Sequence, residues 1–315
     1  MAVMRRLAIA VLLCAVPACG DDLGAVGGGE AVDAGPPAEI RCRLSLGCPE
    51  WLEEYQREVL ARLTGEQPID GEVALVGRYT NRDRDLTRAY LADELARMGL
   101  EPQLHEYGAG GANVYAVLPA TGDGERIIVV GAHMDAVAGA PGAADNGSGV
   151  ALVLAAARYL SELERRDQAI WFALFDQEEL GLVGSLAFAQ QLRIDGALVD
   201  GMHNFDMLSW DRDDDRGVEL WSPDEALEPF YREAAAEIGM PVAVHEVLNS
   251  DHGAFKAHGF RAIGMGEEFS EGDTTPFYHQ AGDRYDQVDF GYLAAATQLA
   301  VRAIERQLGA ASSSK

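Results

Sequence analysis

Basic residues are scarce in this chain: 25 Lys and Arg stand against 51 Asp and Glu, for a formal net charge of −26 over 315 residues. A surface that grips a phosphate backbone needs clustered Lys and Arg, so nucleic acid is excluded as a partner and the acidity reads as solubility. Long apolar runs are missing too. The run from Leu7 to Ala18 falls short of the roughly 20 residues a helix needs to cross a bilayer. Cysteine is rare, with four in all, and no internal repeat is apparent. What is present is ordinary: 48% hydrophobic and 24% charged residues, the composition of a soluble globular protein with a sizeable core.

Arg5 and Arg6 ahead of the short apolar run predict a secretory signal over residues 1–18. "VPAC" before Gly20 resembles a bacterial lipobox, which implies Cys19 as the lipidated first residue of the mature chain. Pro17 is unusual inside such a box, and an ordinary cleaved signal is the alternative. Either way the expected product is exported. With the lipid it would be anchored to the bacterial cell envelope, periplasmic or at the cell surface, touching membrane through the anchor alone. Residues 19–41 lack any hydrophobic period and read as a flexible tether. Residues 42–70 read as a lead-in with a small disulfide loop, Cys42 to Cys48, since Cys14 lies in the signal and an oxidising compartment favours the pair. The globular domain is expected over residues 71–310.

Within it, strands and helices alternate. "DRDLTRAYLADELARMGL" has helical apolar spacing, with Asp83 or Asp85 as cap and Gly99 as stop. "NVYAVLPA" and "RIIVVGAHMDA" read as strands around a turn at "TGDGE". A helix is expected from Ser148, a strand at "AIWFALFD", a helix at "SLAFAQQL" and a strand at "GMHNFDML". A helix ending at Gly239, a strand at "FRAIGMG" and a last helix from Tyr292 to Gln307 complete the pattern. The unbroken apolar run Ala169 to Phe175 suggests burial on both faces. The expected fold is therefore α/β, with a mostly parallel, mixed central sheet and helices on both faces.

Sites in such sheets form beyond the carboxyl ends of the strands. His133 and Asp135 end one strand, Glu178 and Glu179 another, Asp206 a third, and Glu267 and Glu268 a fourth. Asp145 sits at a helix start. Two carboxylates ~5 Å apart at an effective dielectric of ~20 repel by roughly 3 kcal/mol, which a cation would relieve. Each ending by itself has a plainer reading: a structural His-x-Asp pair, a capping aspartate, a solvated acidic turn. Asp206 follows an apolar strand, where an unpaired carboxylate is costly. His252 reads as structural or as a support for a ligand, with direct ligation as the alternative, and Ser250 or Asp251 reads as a helix cap. His279 lies in a loop full of turn residues, while His105, His203, His245 and His258 read as structural or exposed.

In order along the chain, "GAHMDAV", "GAADNGSGVA", "FDQEELGLVGS", "NFDM", "SDHGAF" and "PFYHQAGDRYDQVD" resemble the co-catalytic zinc aminopeptidase family, over about Arg78 to Asp289. That family's zinc exopeptidase fold is shared by leucyl aminopeptidases, glutamate carboxypeptidases and, altered, by glutaminyl cyclases and a receptor ectodomain. The resemblance implies that His133 and Asp206 bind one zinc, Glu179 and His279 a second, and Asp145 both. It implies Glu178 as general base, Asp135 as the residue orienting His133, and a cis peptide between Asp145 and Asn146. Cobalt or manganese are substitutes of suitable chemistry. The link "AVAGAPGAA" between His133 and Asp145 is shorter than in many relatives, which bears on pocket shape.

The leading expectation is thus an exported two-zinc aminopeptidase acting on peptides. A one-zinc glutaminyl cyclase-like acyltransferase, a carboxypeptidase or dipeptidase, and a non-catalytic binding module are the alternatives. By position, Met207, Glu268, Phe277 and Tyr278 are candidates for substrate binding, with Glu267 and Phe269 beside them. Glu268 is the candidate acceptor for a substrate's free amine.

Overall fold

The computed structural model describes residues 40–108 and 110–313. The expected signal peptide, Cys14, Cys19 and nearly all of the tether lie outside the described residues. Among the described residues no helix is long and apolar enough to cross a membrane.

The elements run α1 (Leu52–Leu63), α2 (Asn81–Arg97), β1 (Pro102–Tyr107), β2 (Gly111–Leu118), β3 (Ile127–His133), α3 (Gly149–Ser161) and β4 (Ala169–Phe175). There follow α4 (Val183–Ile194), β5 (Val199–Phe205), β6 (Val218–Trp221), α5 (Glu228–Ile238), β7 (Val242–His245), α6 (Asp251–Ala257), β8 (Ala262–Gly266) and α7 (Phe290–Ser313). Eight strands form one mixed sheet in the order β1-β2-β4-β3-β5-β8-β6-β7. Its centre, β4-β3-β5-β8, is parallel throughout. The strands expected around "TGDGE" are not neighbours: β4 lies between β2 and β3, antiparallel to the first and parallel to the second.

Burial follows from composition. Every residue of β3 is buried, as are the last four of β4 and the last five of β5. α3 is apolar almost all round, with Val150 to Ala157 at most 1% exposed, and packs on one face of the sheet with α1 and α7. α4 and α6 cover the other face through Phe188 and Phe255. Fully burying a side chain of this size stabilises the fold by roughly 1.5–3 kcal/mol relative to exposure.

The lead-in is more than a lead-in. α1 buries Val59, Leu60 and Leu63 completely in the main core. The loop closed by the Cys42–Cys48 disulfide docks on distant helices, with the Ser45 amide donating to Glu305 and the Leu46 amide to Tyr159. α2 starts ahead of both aspartates expected to cap it. Thr80 is the cap, its hydroxyl accepting from the Asp83 amide at 3.2 Å while Asp83 sits at the third helical position. α7 begins at Phe290, where the Asp289 carboxylate accepts from the Tyr292 amide at 2.8 Å, and runs past the expected end.

One buried polar group gives the fold a pH dependence. His203 on β5 is fully buried, with Nδ1 3.0 Å from the Tyr231 hydroxyl and Nε2 2.8 Å from Gln307 Oε1. Burial lowers its pKa to about 4. The folded state therefore binds fewer protons than the unfolded state between that value and roughly 6.5. This contribution to stability is complete above pH ~6.5 and is lost as pH falls, by about 3 kcal/mol in all. Denaturant titrations from pH 7 to 4 should show a steeper loss in the native protein than in His203→Gln. Equal slopes would refute the assignment.

Candidate metal centre

β4, β3, β5 and β8 end on one edge of the sheet, and the residues that follow them converge there. His133 closes β3. Glu178 and Glu179 follow β4 after a backbone reversal at Gln177, whose φ is 61°. Asp206 follows β5, and Asp145 comes from the irregular turn ahead of α3. His279, itself at φ 58°, reaches in from the loop before α7.

His133 Nε2 lies 3.2 Å from Asp145 Oδ1 and 3.4 Å from Asp206 Oδ1. His279 Nε2 lies 3.2 Å from Asp145 Oδ2 and 3.1 Å from Glu179 Oε2. The two oxygens of Asp145 thus serve two separate clusters, each with one imidazole nitrogen and one further carboxylate. The Asp145–Asn146 peptide is cis.

These residues fit a pair of divalent cations. In each cluster three donor atoms lie within 4.8 Å of one another. Glu179 Oε1 and Asp206 Oδ1 are buried without a hydrogen-bond partner, an arrangement that is costly unless a cation is shared. Nitrogen and oxygen donors, three to a site with a position left open, suit zinc. The electrostatics agree. Burial pushes the Glu178 carboxyl well up from the usual carboxylate range, and His133 only partly offsets it. Hydrogen bonds to Asp145 and Glu179 raise His279 to about 10. Burial pulls His133 down, but Glu178 and Asp206 more than offset it and leave it well above the usual histidine range. Positive charge is favoured at both imidazoles.

The surroundings hold the donors in place. Asp135 Oδ1 is 3.5 Å from His133 Nδ1, and the same carboxylate accepts the amides of Glu178 at 3.1 Å and Glu179 at 3.3 Å. It therefore orders both glutamates and lies beside the second nitrogen of the histidine. Ser250 does not cap α6 with its side chain. Its hydroxyl donates to Asp206 Oδ2 at 2.6 Å and accepts from Asn204 Nδ2 at 2.7 Å, fixing the carboxylate of Asp206. His252 is buried with Nε2 2.8 Å from the Val247 carbonyl and joins neither cluster. Asp251 is fully buried nearby, where desolvation raises its carboxyl to about 7.

A cavity opens over the clusters. His133, Asp145, Glu178, Asp206 and His279 line it together with Met207, Trp221, Val247, Phe269 and Tyr278, whose ring stacks on His279. Met207, Phe269 and Tyr278 were expected near substrate from their positions. Glu268 and Phe277 are not among the residues lining this cavity. The Glu268 carboxylate sits against Gly217, in a group with Asp213 and Asp273, and Phe277 packs on Trp210. Glu268 is therefore corrected as the amine acceptor. The reason lies in the tight turn after β8, where the Phe269 amide donates back to the Glu267 carbonyl at 2.7 Å and sends the two glutamates in different directions. Glu267 is buried and accepts from the Ser209, Trp210 and Thr275 amides, while Glu268 faces the acidic loop. Trp221 was missed because β6 is only four residues long, too short for a period to show. Its indole N–H donates to buried Glu219 at 2.9 Å, and its ring lies where a side chain on Gly266 would be.

Comparison with known proteins agrees with this geometry. The profile of Peptidase family M28 matches residues 113–304. Leupeptin-inactivating enzyme 1 of Streptomyces exfoliatus is 31% identical over 199 residues, covering 61% of this chain and 44% of that protein. Probable lipoprotein aminopeptidase LpqL of Mycobacterium tuberculosis is 30% identical over 226 residues, covering 60% of this chain and 45% of its own. The chain spans a little under half the length of these curated relatives. The solved structure of BSAP, a zinc aminopeptidase from Bacillus subtilis, aligns with a TM-score of 0.59 at 26% identity, over 62% of this chain and 50% of that one. The family match begins in β2, ends in α7 and takes in every residue of the two clusters: this chain belongs to Peptidase family M28.

Proposed function

We propose that the protein is a two-zinc aminopeptidase that removes N-terminal residues from peptides. The observation that carries this reading is the division of Asp145, one oxygen toward His133 and the other toward His279. A single-zinc acyltransferase would leave one complete cluster without a task, and a binding module would have no use for either. The zinc aminopeptidase from Bacillus subtilis, similar over 62% of this chain, supports the choice of metal.

Zinc bound at the two clusters would supply Lewis acidity, lowering the pKa of a water and polarising the scissile carbonyl. The protein's own residues do the rest. Glu178 lines the cavity beside both clusters and takes the proton from the attacking water, then returns it to the leaving amine. Asp135 keeps Glu178 aimed by holding its amide. Among the carboxylates that line the cavity, Asp145 and Asp206 would be neutralised by the cations, which leaves Glu178 as the group that would face a free, charged N-terminus. Met207, Trp221, Val247 and Phe269 form an apolar wall that would receive the substrate side chain.

Export and anchoring through Cys19 belong to the same proposal. They rest on the signal and lipobox pattern and on the name of the mycobacterial relative, a probable lipoprotein.

Metal analysis of the purified protein should give two zinc ions per chain. Cleavage of aminoacyl amides should fall roughly 100-fold or more when the N-terminus is acetylated, because the charge is lost and its acceptors are left unpaired. Equal rates on free and acetylated peptides would reject the aminopeptidase reading. Ammonia release from an N-terminal glutamine would show a cyclase instead.

A further inference from the structure

Backbone groups of the turn that presents Asp145 are held by two buried residues of opposite charge. Arg78, fully buried, donates through Nη1 to the Pro141 carbonyl at 2.7 Å and through Nη2 to the Gly142 carbonyl at 2.8 Å. The next three amides all donate to Asp283. Ala143 donates to its main-chain carbonyl at 3.3 Å, Ala144 to Oδ1 at 2.6 Å and Asp145 to Oδ2 at 3.1 Å. Asp283 is 2% exposed. Gly142 has φ 71°, and a Cβ there would lie 2.7 Å from Arg78 Nη2, so the grip leaves no room for a side chain.

Both anchors reach further into the site. Arg78 Nε donates to the Met134 carbonyl at 2.7 Å, between His133 and Asp135. Asp283 lies four residues after His279 in the same loop, and its amide donates to the Gln280 carbonyl at 3.0 Å. Asp283 therefore ties the loop of His279 directly to the turn of Asp145.

We propose that Asp283 is a positioning residue for the cluster of Asp145, Glu179 and His279, setting the bridging carboxylate against the histidine without being a ligand. The inference rests on the two-cation reading above. Its consequence is asymmetric. His133 and Asp206 sit at the ends of neighbouring strands β3 and β5, so the sheet holds two of the three donors of their cluster whether or not Asp283 is present, and only the shared Asp145 shifts. Glu179 sits in a single 3-10 turn and His279 in the loop that Asp283 itself belongs to, so the spacing of His279 from Asp145 depends on Asp283 from both sides.

The test is calorimetric titration of the metal-free full chain with Zn2+, for the native protein and Asp283→Asn, together with the melting temperature of each metal-free protein. The amide keeps one acceptor oxygen but turns an N–H donor toward a backbone N–H. The native protein should take two equivalents. In the variant the tighter-held first equivalent should stay within about threefold, while the second weakens about 10–100-fold, as is usual when a group supporting a metal ligand is lost. The visible spectrum of the cobalt-loaded variant should change in the second equivalent and not in the first. Both equivalents binding as in the native protein would overturn the proposal. So would equal weakening of both alongside a lower metal-free melting temperature, which would mark Asp283 as purely structural. If Asp283→Asn does not fold, Asp283→Glu, with both acceptors one methylene further out, is titrated with the same expectation. One equivalent in the native protein would overturn the two-cation reading itself, and that outcome is visible without any variant.

Discussion

Glu178→Gln should lower turnover by about 10²–10⁴-fold, the usual contribution of a general acid–base group, while two zinc ions remain bound. Glutamine has the shape of glutamate but does not accept a proton from water. The side chain lines the cavity, and the backbone placement of Glu178 depends on its amide hydrogen bond to Asp135, which the substitution leaves intact. Glu179→Gln should behave differently. Glu179 Oε2 is 3.1 Å from His279 Nε2, and Oε1 is buried without a hydrogen-bond partner, so its loss should lower metal occupancy before anything else. Metal analysis and steady-state rates on the two variants separate the roles. One zinc missing from Glu178→Gln, with both retained in Glu179→Gln, would show that the two glutamates have been assigned the wrong way round.

Asp176→Ala should destabilise the fold by about 3–5 kcal/mol, the range for removing one partner from a buried ion pair. Asp176 is fully buried at the end of β4. Its oxygens pair with Arg84 Nε and Arg88 Nη1, each at 2.7 Å, and those arginine side chains are only 5% and 8% exposed. Burial pushes the carboxyl up, and the two guanidiniums pull it back toward the charged form. Alanine would leave Arg84 without a carboxylate partner and Arg88 with the exposed Asp85 alone, between α2 and the sheet. At roughly 2–4 °C per kcal/mol for a domain of this size, the melting temperature should fall by about 10 °C. A fall of under 2 °C would show that Arg84 and Arg88 find other partners. Because Asp176 also precedes the reversal at Gln177, its backbone carbonyl held by the Tyr107 hydroxyl at 2.8 Å, the same change should disturb Glu178 and Glu179.

Asp176 also shows how far a linear reading goes. The acidic stretch after the apolar run is visible at once, but its members have different tasks. Asp176 faces two arginines on α2, Glu178 faces the cavity and Glu179 faces His279. The chain reverses through positive φ at Gln177, between Asp176 and the two glutamates, so no strand period carries over from the first carboxylate to the others.

What could be read along the chain was whatever depends on a residue and its near neighbours. The apolar run of β4 had to be buried, the helix of Val150 to Ala157 had to lie against a sheet, and Cys42 was close enough to Cys48 to pair. The order of His133, Asp145, Glu179 and Asp206 was legible for the same reason, since each sits at the end of a recognisable element, whereas His279, in a loop, was singled out through the family resemblance. Contacts between distant segments were not legible. Strand order placed β4 between β2 and β3, and α1 joined the core that the lead-in was expected only to approach. The turn after β8 placed Glu268 among acidic loop residues, and pairing of β6 with β8 brought Trp221 to the cavity wall. Arg78 and Asp283 carry no local signature, because what they bind is the backbone of a turn far away in sequence. Side-chain chemistry and period act over a few residues, whereas the aim of a carboxylate depends on which loop folds over which strand, and that is settled only when the whole sheet is assembled.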